Sequence, residues 1–459
     1  MIIGREAEWD FLNSHYQSEE SRILVLYGRR GLGKTTILKD FIANKSYFYY
    51  LARSCSEKEQ RLQWGRELRQ KGISLSADPD FEELLDKSCY KDTKGKKILV
   101  LDEFQYFVKS DSSFFSELIQ FIKATQEFEP IMVILISGAV GWVENIMIRK
   151  IGRGALSLSG VWKVREMKYA GLRRLFPEFT DSEAVAIYGI LGGNPGLWKS
   201  FLPGKSLEEN ITQTVLEPFG GLREEPESWL SEELRETAVY QTILSALASG
   251  LTKLNDIHVH TGFSRAKISV YLKNLMELDL VDKLSSYETA GYANSQKGIY
   301  RISHPFVDFY FRVIFPNQSA LELLSTEEFY AVYVKNAIYF YEEQAYERIC
   351  REYLKKYCED LGEWWGKEGK IPFLGRKKSG ETFAAFSRYH TIPTSEELLQ
   401  FCKNLRKAKW APSECYLFCE KSEEISLEIN ATGIKKESFN RIAILNDMYP
   451  EGSGHNSGL

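Results

Sequence analysis

The sequence has no long hydrophobic run. Its longest uninterrupted apolar stretch, Ile131 to Ile136, falls far short of the roughly 18 residues that cross a bilayer as a helix, so no membrane partner is expected. Met1 to Asp10 carries charges and a Trp where a signal peptide would have an apolar segment behind a basic end, and the expected location is the cytoplasm. Cysteine is scarce and odd in number: seven scattered residues fit reduced thiols better than a disulfide framework. Cys415 and Cys419 form a lone CxxxC pair with no second pair or His cluster at zinc spacing, and His258 and His260 are two apart rather than four, so neither group is read as a metal site. An excess of either charge is also missing. With 59 Lys and Arg against 63 Asp and Glu, the formal charge of -4 excludes a general basic coat, and any DNA contact must be local. No NKxD motif selects guanine, and no repeat of the solenoid type occurs.

What is present is ample core material: 459 residues, 44% hydrophobic, which divide into about three domains at usual domain sizes. Residues 22 to 135 alternate β-rich runs (RILVLYG, SYFYYLA, KILVLDE, IMVILIS) with amphipathic stretches, the order of an α/β parallel sheet flanked by helices. The expected organisation is a P-loop core over 1–160, a helical lid over 161–235, a winged helix over 236–303, an α/β domain over 304–448 and a flexible Gly/Ser-rich tail over 449–459.

Gly28, Gly33, Lys34 and Thr35 match GxxxxGK[ST] between the apolar run Ile23 to Tyr27 and the helical TTILKDFIA. Glycines let backbone N–H groups turn inward on phosphates, and a helix N-terminus adds partial positive charge. The expected nucleotide-binding set is Gly28, Arg29, Arg30, Gly31, Leu32, Gly33, Lys34, Thr35 and Thr36, with Lys34 reaching the β and γ oxygens and Thr35 ligating Mg²⁺. Ile98 to Leu101 run into Asp102 and Glu103, a strand whose first acid would bind the metal and whose second would polarise water as general base. A parallel sheet brings both strand ends to one edge. Ser137, ending the run Ile131 to Ile136, is expected at the same edge near the γ-phosphate, and Arg149 or Arg153 could swing toward it to neutralise charge.

The arrangement resembles the archaeal-type ATPases of the STAND branch within the AAA+ P-loop superfamily. Ile3-Gly4-Arg5-Glu6 with Glu8, Tyr27-Gly28-Arg29-Arg30, Leu101-Asp102-Glu103-Phe104-Gln105 and Gly192-Gly193-Asn194-Pro195 carry the likeness. The resemblance implies ATP and Mg²⁺ as ligands, Arg5 beside the adenine, and Pro195 in a segment that opens the lid over the nucleotide. The family's Gly-Arg pair is matched by Gly152 and Arg153, which favours Arg153 as the phosphate-facing arginine, although Lys150 and Ile151 replace the usual Leu-Tyr before it.

Past the winged helix, Tyr300 to Ser303, Pro305 to Phe311, Glu347 and Leu361 to Gly366 look like the uncharacterised C-terminal domain that some of these ATPases carry, a domain similar to restriction-endonuclease-like folds. Where that resemblance implies Glu-Ile-Asp and Glu-x-Lys, the chain has Lys370-Ile371-Pro372 and Phe386-Ser387-Arg388, so only Glu347 remains and nuclease activity is expected to be absent. In the winged helix Arg265, Lys267, Lys273 and Asn274 could meet duplex DNA, yet seven Lys and Arg against five Asp and Glu from Val239 to Ser303 give only +2. The expected function is Mg²⁺-dependent ATP hydrolysis acting as a conformational switch. The alternatives are an ATP-binding, DNA-associated regulator with negligible turnover and a scaffold that binds a protein partner, or itself, through the C-terminal domain.

Overall fold

The computed structural model describes residues 3–89, 96–110, 113–125, 130–218, 220–287, 298–366, 369–391, 393–419 and 435–440. The tail expected over 449–459 lies outside the described residues. The chain forms two compact units, one of Met1–Met167 with Asn194–Gly196, the other of Lys168–Gly193 with Leu197–Leu459.

In the first unit, five strands, β1 (Arg22–Tyr27), β2 (Tyr47–Leu51), β3 (Lys97–Asp102), β4 (Ile131–Ser137) and β5 (Gly160–Lys163), form one parallel sheet in the order β2-β3-β4-β1-β5. The α/β parallel sheet read from the sequence is the one observed. Its inner strands are apolar between their ends because both faces are covered. Alternation then divides them: Ile23, Val25, Leu99 and Leu101 face one core, while Leu24, Leu26, Ile98 and Val100 face the other. Helices α1 (Glu6–Tyr16) and α2 (Lys34–Ile42) supply the second core through Leu12, Ile37, Leu38 and Phe41. Helices α3 (Glu57–Gln70), α4 (Phe81–Cys89), α5 (Gln105–Ser110) and α6 (Phe114–Thr125) supply the first, around Trp64, which stacks on Tyr50.

In the second unit, α7 (Asp181–Leu191) starts at a capping box between Thr180 and Glu183 and ends at Gly192, whose φ of 69° terminates it. The winged helix follows as α8 (Thr237–Ala248), α9 (Leu254–Thr261), α10 (Arg265–Glu277) and the antiparallel pair β6 (Val281–Leu284) and β7 (Ile299–Ile302). Ile268, Leu272 and Leu275 recur at helical spacing and are buried, so the α10 periodicity is a packing stripe. A long helix α11 (Lys335–Leu354) leads to β8 (Cys358–Gly366), β9 (Gly369–Lys377) and β10 (Thr382–Ser387), then to α12 (Ser395–Ala408), β11 (Glu414–Cys419) and β12 (Lys435–Asn440). β8, β9 and β10 pair antiparallel, whereas α12 crosses over to place β11 parallel to β10. Helix α11 does not serve this sheet alone. It lies along α7 so closely that a Cβ on Gly189 would stand 2.5 Å from the Tyr341 carbonyl oxygen, and Glu352 accepts from the Tyr188 hydroxyl at 2.7 Å and the Tyr169 N–H at 3.1 Å. All seven cysteines are free, and Cys415 and Cys419 are buried on β11. Among the described residues no helix is long and apolar enough to cross a membrane.

Candidate nucleotide site

The loop from Gly28 to Gly33 joins β1 to α2 at the carboxyl edge of the sheet. Gly31 and Gly33 sit at φ of 83° and 88°, the left-handed region where a side chain costs about 1–2 kcal/mol. Gly28 is required for space: a Cβ there would stand 2.4 Å from the Val164 carbonyl oxygen.

The loop carbonyls are taken up by the protein. Lys34 Nζ donates to the carbonyls of Gly28 at 2.5 Å and Arg29 at 3.0 Å. Asn194 Nδ2 donates to Arg30 at 3.3 Å, the Gly196 N–H to Gly31 at 3.1 Å, and Arg5 Nη2 to Leu32 at 2.6 Å. With the carbonyls turned outward, the peptide planes turn their N–H groups to the other side. From Gly31 to Thr36 no backbone N–H finds an acceptor among the described residues, and α2 begins at Gly33 without a side-chain cap. Backbone donors left without an acceptor, the start of a helix dipole and the buried Lys34 ammonium fit a polyphosphate. Burial pushes that ammonium below its ordinary range, and Glu103 and Asp102 pull it part of the way back.

Opposite the loop, β3 delivers a buried Asp102. Its Oδ1 accepts from the Glu103 N–H at 2.9 Å and its Oδ2 from the Tyr49 hydroxyl at 2.7 Å. Burial raises its pKa above the usual aspartate range, a shift that the Tyr49 bond and Lys34 oppose. A carboxylate is a hard oxygen ligand of the kind that suits a divalent cation such as Mg²⁺, and the Thr35 hydroxyl at the start of α2 is exposed. Glu103 holds φ of 52°, unusual for a residue with a Cβ and costing on the order of 1–3 kcal/mol. Its carboxylate accepts from the Gly138 N–H at 3.3 Å and from Gln105 Nε2.

Of the residues expected here, Gly28 to Thr36 form the loop and the first turn of α2, and Asp102 and Glu103 stand at the end of β3. The others occupy places that motif matching does not disclose. Arg5, expected beside the adenine, is buried and committed to the carbonyls of Leu32 and Arg165 and to Glu8, so it braces the loop from behind. Arg29 pairs with Glu166 at 2.6 Å. Ser137, expected to face the γ-phosphate, is fully buried, and its hydroxyl lies between Gln105 Oε1 at 2.8 Å and the Ala139 N–H at 3.1 Å. Arg153 is exposed in the turn Gly152–Ser157, which packs on α6 at Phe115 and Ile119. Arg149 bonds back to the Asn145 carbonyl. Pro195 is buried between Asn194 and Gly196, the two residues that clasp the loop. Asn194, Gln105 and Tyr49 make contacts the sequence reading did not assign. The first two lay inside quoted motifs, but Tyr49 carries no motif and is found only once β2 is known to pair with β3.

In the second unit, Glu347 of α11 forms an ion pair with Lys370 of β9 at 3.1 Å, and Arg351 stands 3.8 Å away. Arg388 pairs with Glu397. On α10, Arg265, Lys267, Ser269, Val270 and Lys273 are exposed, whereas Asn274 is half-buried and bonds the Tyr240 hydroxyl at 2.6 Å.

Sheet order, phosphate loop and facing acids define a P-loop ATPase. Comparison with known proteins agrees: residues 2–201 match a family described as an ATPase domain predominantly from Archaea, residues 242–283 the bacterial regulatory proteins of the arsR family, and residues 310–390 archaeal and bacterial proteins of unknown function. The chain thus carries an archaeal-type ATPase domain followed by an arsR-type winged helix and a domain of unknown function. An uncharacterised protein of Methanocaldococcus jannaschii is 27% identical over 400 residues, covering 82% of this chain and 84% of its own. Among solved structures, the Walker-type ATPase of Pyrococcus abyssi is similar at 19% identity and a TM-score of 0.49, over 68% of this chain and 96% of its own. The ORC2 protein of Aeropyrum pernix, solved in ADPNP-ADP complexes, is similar at 14% identity and a TM-score of 0.45, over 72% of this chain and 96% of its own.

Proposed function

We propose that the protein is a Mg²⁺-dependent ATPase whose nucleotide state acts as a conformational switch. The observation that carries this reading is the loop itself: its carbonyls are bound by Lys34, Asn194, Gly196 and Arg5, and from Gly31 to Thr36 no backbone N–H has an acceptor among the described residues. Lys34 holds the β and γ oxygens, and Thr35 and Asp102 hold Mg²⁺. The metal supplies charge neutralisation at the phosphates when bound. Glu103 takes the proton of the attacking water. A role for Arg153 at the phosphates requires its turn to move. The switch is supported by Asn194–Gly196, which clasps the loop and runs from the end of α7 into the helix Pro195–Trp198, so a shift of the loop carbonyls pulls on chain continuous with both helices. The C-terminal domain is read as inactive as a nuclease, because the Lys370 ammonium already balances Glu347 where a metal would need an anionic cluster.

The test is a single variant. Glu103→Gln should bind ATP as the parent does and lose roughly 10²- to 10⁴-fold in turnover, the range for removal of a general base. Normal turnover in that protein would remove the assigned base.

The exposed face of α10 favours a second reading, local DNA contact by Arg265, Lys267 and Lys273. Duplex binding whose salt slope falls by about 2 on replacing Arg265 and Lys273 with Ala would support it, and an unchanged slope would dismiss it.

A further inference from the structure

The contacts around Glu103 form a directed chain. Ser137 lies at the end of β4, and its backbone carbonyl accepts the N–H of Gly28, the first residue of the phosphate loop, at 3.2 Å. Its hydroxyl oxygen accepts the Ala139 N–H, which leaves the hydroxyl proton to be donated to Gln105 Oε1 at 2.8 Å. That donation fixes the amide: with Oε1 facing Ser137, Nε2 faces Glu103 and donates to Oε2. The amide cannot flip without setting two hydrogen-bond acceptors against each other at Glu103. Both intermediaries are sealed from water, Ser137 at 0% and Gln105 at 3% exposure, so solvent does not compete for these bonds. The backbone is stitched alongside, with the Phe104 N–H on the Ile136 carbonyl at 3.0 Å. Gly138 completes the seat: a Cβ there would stand 3.1 Å from Glu103 Oε1, while its N–H reaches Oε2.

We propose that Gln105 is a positioning residue for hydrolysis, which holds the Glu103 carboxylate at the end of β4 and ties its placement through Ser137 to the first turn of the phosphate loop. This rests on Glu103 being the base. Gln105 itself touches no nucleotide; it acts on the reaction only by fixing where the base stands, and Ser137 acts through it. Leucine at 105 keeps the volume and removes both bonds. Alanine at 137 removes a single oxygen, and threonine there restores it.

The experiment measures Kd for Mg-ATP and kcat on the full chain for Gln105→Leu, Ser137→Ala, Ser137→Thr, the double variant Gln105→Leu/Ser137→Ala, and Glu103→Gln as reference. The expected result is a kcat roughly 10- to 100-fold lower in Gln105→Leu, as misplacing a reacting group by about 1 Å produces, with Kd within about 2-fold of the parent. Ser137→Ala should fall in the same direction, Ser137→Thr should recover, and the double variant should be no slower than Gln105→Leu alone. Parental turnover in Gln105→Leu, or in Ser137→Ala should the first variant not fold, overturns the proposal. Penalties that multiply in the double variant, or an equal loss in Kd, overturn it too. If Glu103→Gln is inert while Gln105→Leu turns over normally, only this inference fails. If Glu103→Gln turns over normally, the assignment of the base fails with it.

Discussion

At the scale of single residues, the site is built from groups that oppose folding. Asp102 is buried, and its carboxyl is raised because burial disfavours the charged form. A carboxyl raised in the folded state contributes stability below the ordinary aspartate range and loses it as pH rises through the folded value, so at neutral pH the ionised Asp102 acts against the fold. Asp102→Asn should therefore raise the thermal midpoint of the ligand-free protein while abolishing Mg²⁺-dependent nucleotide binding; a lower midpoint would contradict the sign. For the same reason Mg-ATP binding should fail on acidification at a pH above the ordinary aspartate value. Tyr49→Phe, which removes a bond that favours the ionised form, should move that failure to still higher pH. A titration of Mg-ATP affinity against pH reads both shifts. The acids were legible in the sequence because an apolar run ending in two carboxylates is contiguous. Tyr49 was not, because its partner lies on a neighbouring strand 53 residues away.

At the scale of elements, the strands and the loop-to-helix turn follow from local pattern, whereas the use made of a helix follows from its distant neighbours. Runs such as IMVILIS could only be strands covered on both faces, and they are. Helix α11 was readable as a helix but not as the partner of α7, since that contact depends on Gly189, an unremarkable glycine in sequence, meeting the Tyr341 backbone. Gly189→Ala sets two magnitudes against each other. Alanine favours a helix interior by about 1 kcal/mol, but a Cβ at 2.5 Å from a carbonyl oxygen forces the helices apart at about 1–3 kcal/mol or more. The steric term should win, lowering the urea midpoint followed by tryptophan fluorescence, with nucleotide affinity unchanged. Arg153 shows the same dependence from the other side: the Gly-Arg pair is a local motif, whereas the turn that bears it packs on α6 through contacts that no short motif encodes.

At the scale of the whole molecule, the P-loop domain, the winged helix and the C-terminal α/β fold were all visible as changes of pattern along the chain. The resemblance already brought Pro195 to the nucleotide; what was not visible is that Asn194 and Gly196 bond the carbonyls of the phosphate loop although the residues on both sides of the segment belong to the second unit. If nucleotide state is transmitted, it should appear first in that flanking chain. Amide hydrogen exchange in Glu103→Gln with ATP, compared with the parent with ADP, should differ over residues 181–211; identical exchange there would contradict a switch. The most direct test of the central claim is calorimetric titration of the parent and of Lys34→Ala with a non-hydrolysable Mg-ATP analogue. The account predicts one site in the parent and an affinity weakened roughly 10- to 100-fold or more in the variant, as expected for loss of a charge-assisted contact. Equal affinity in the two proteins would contradict it.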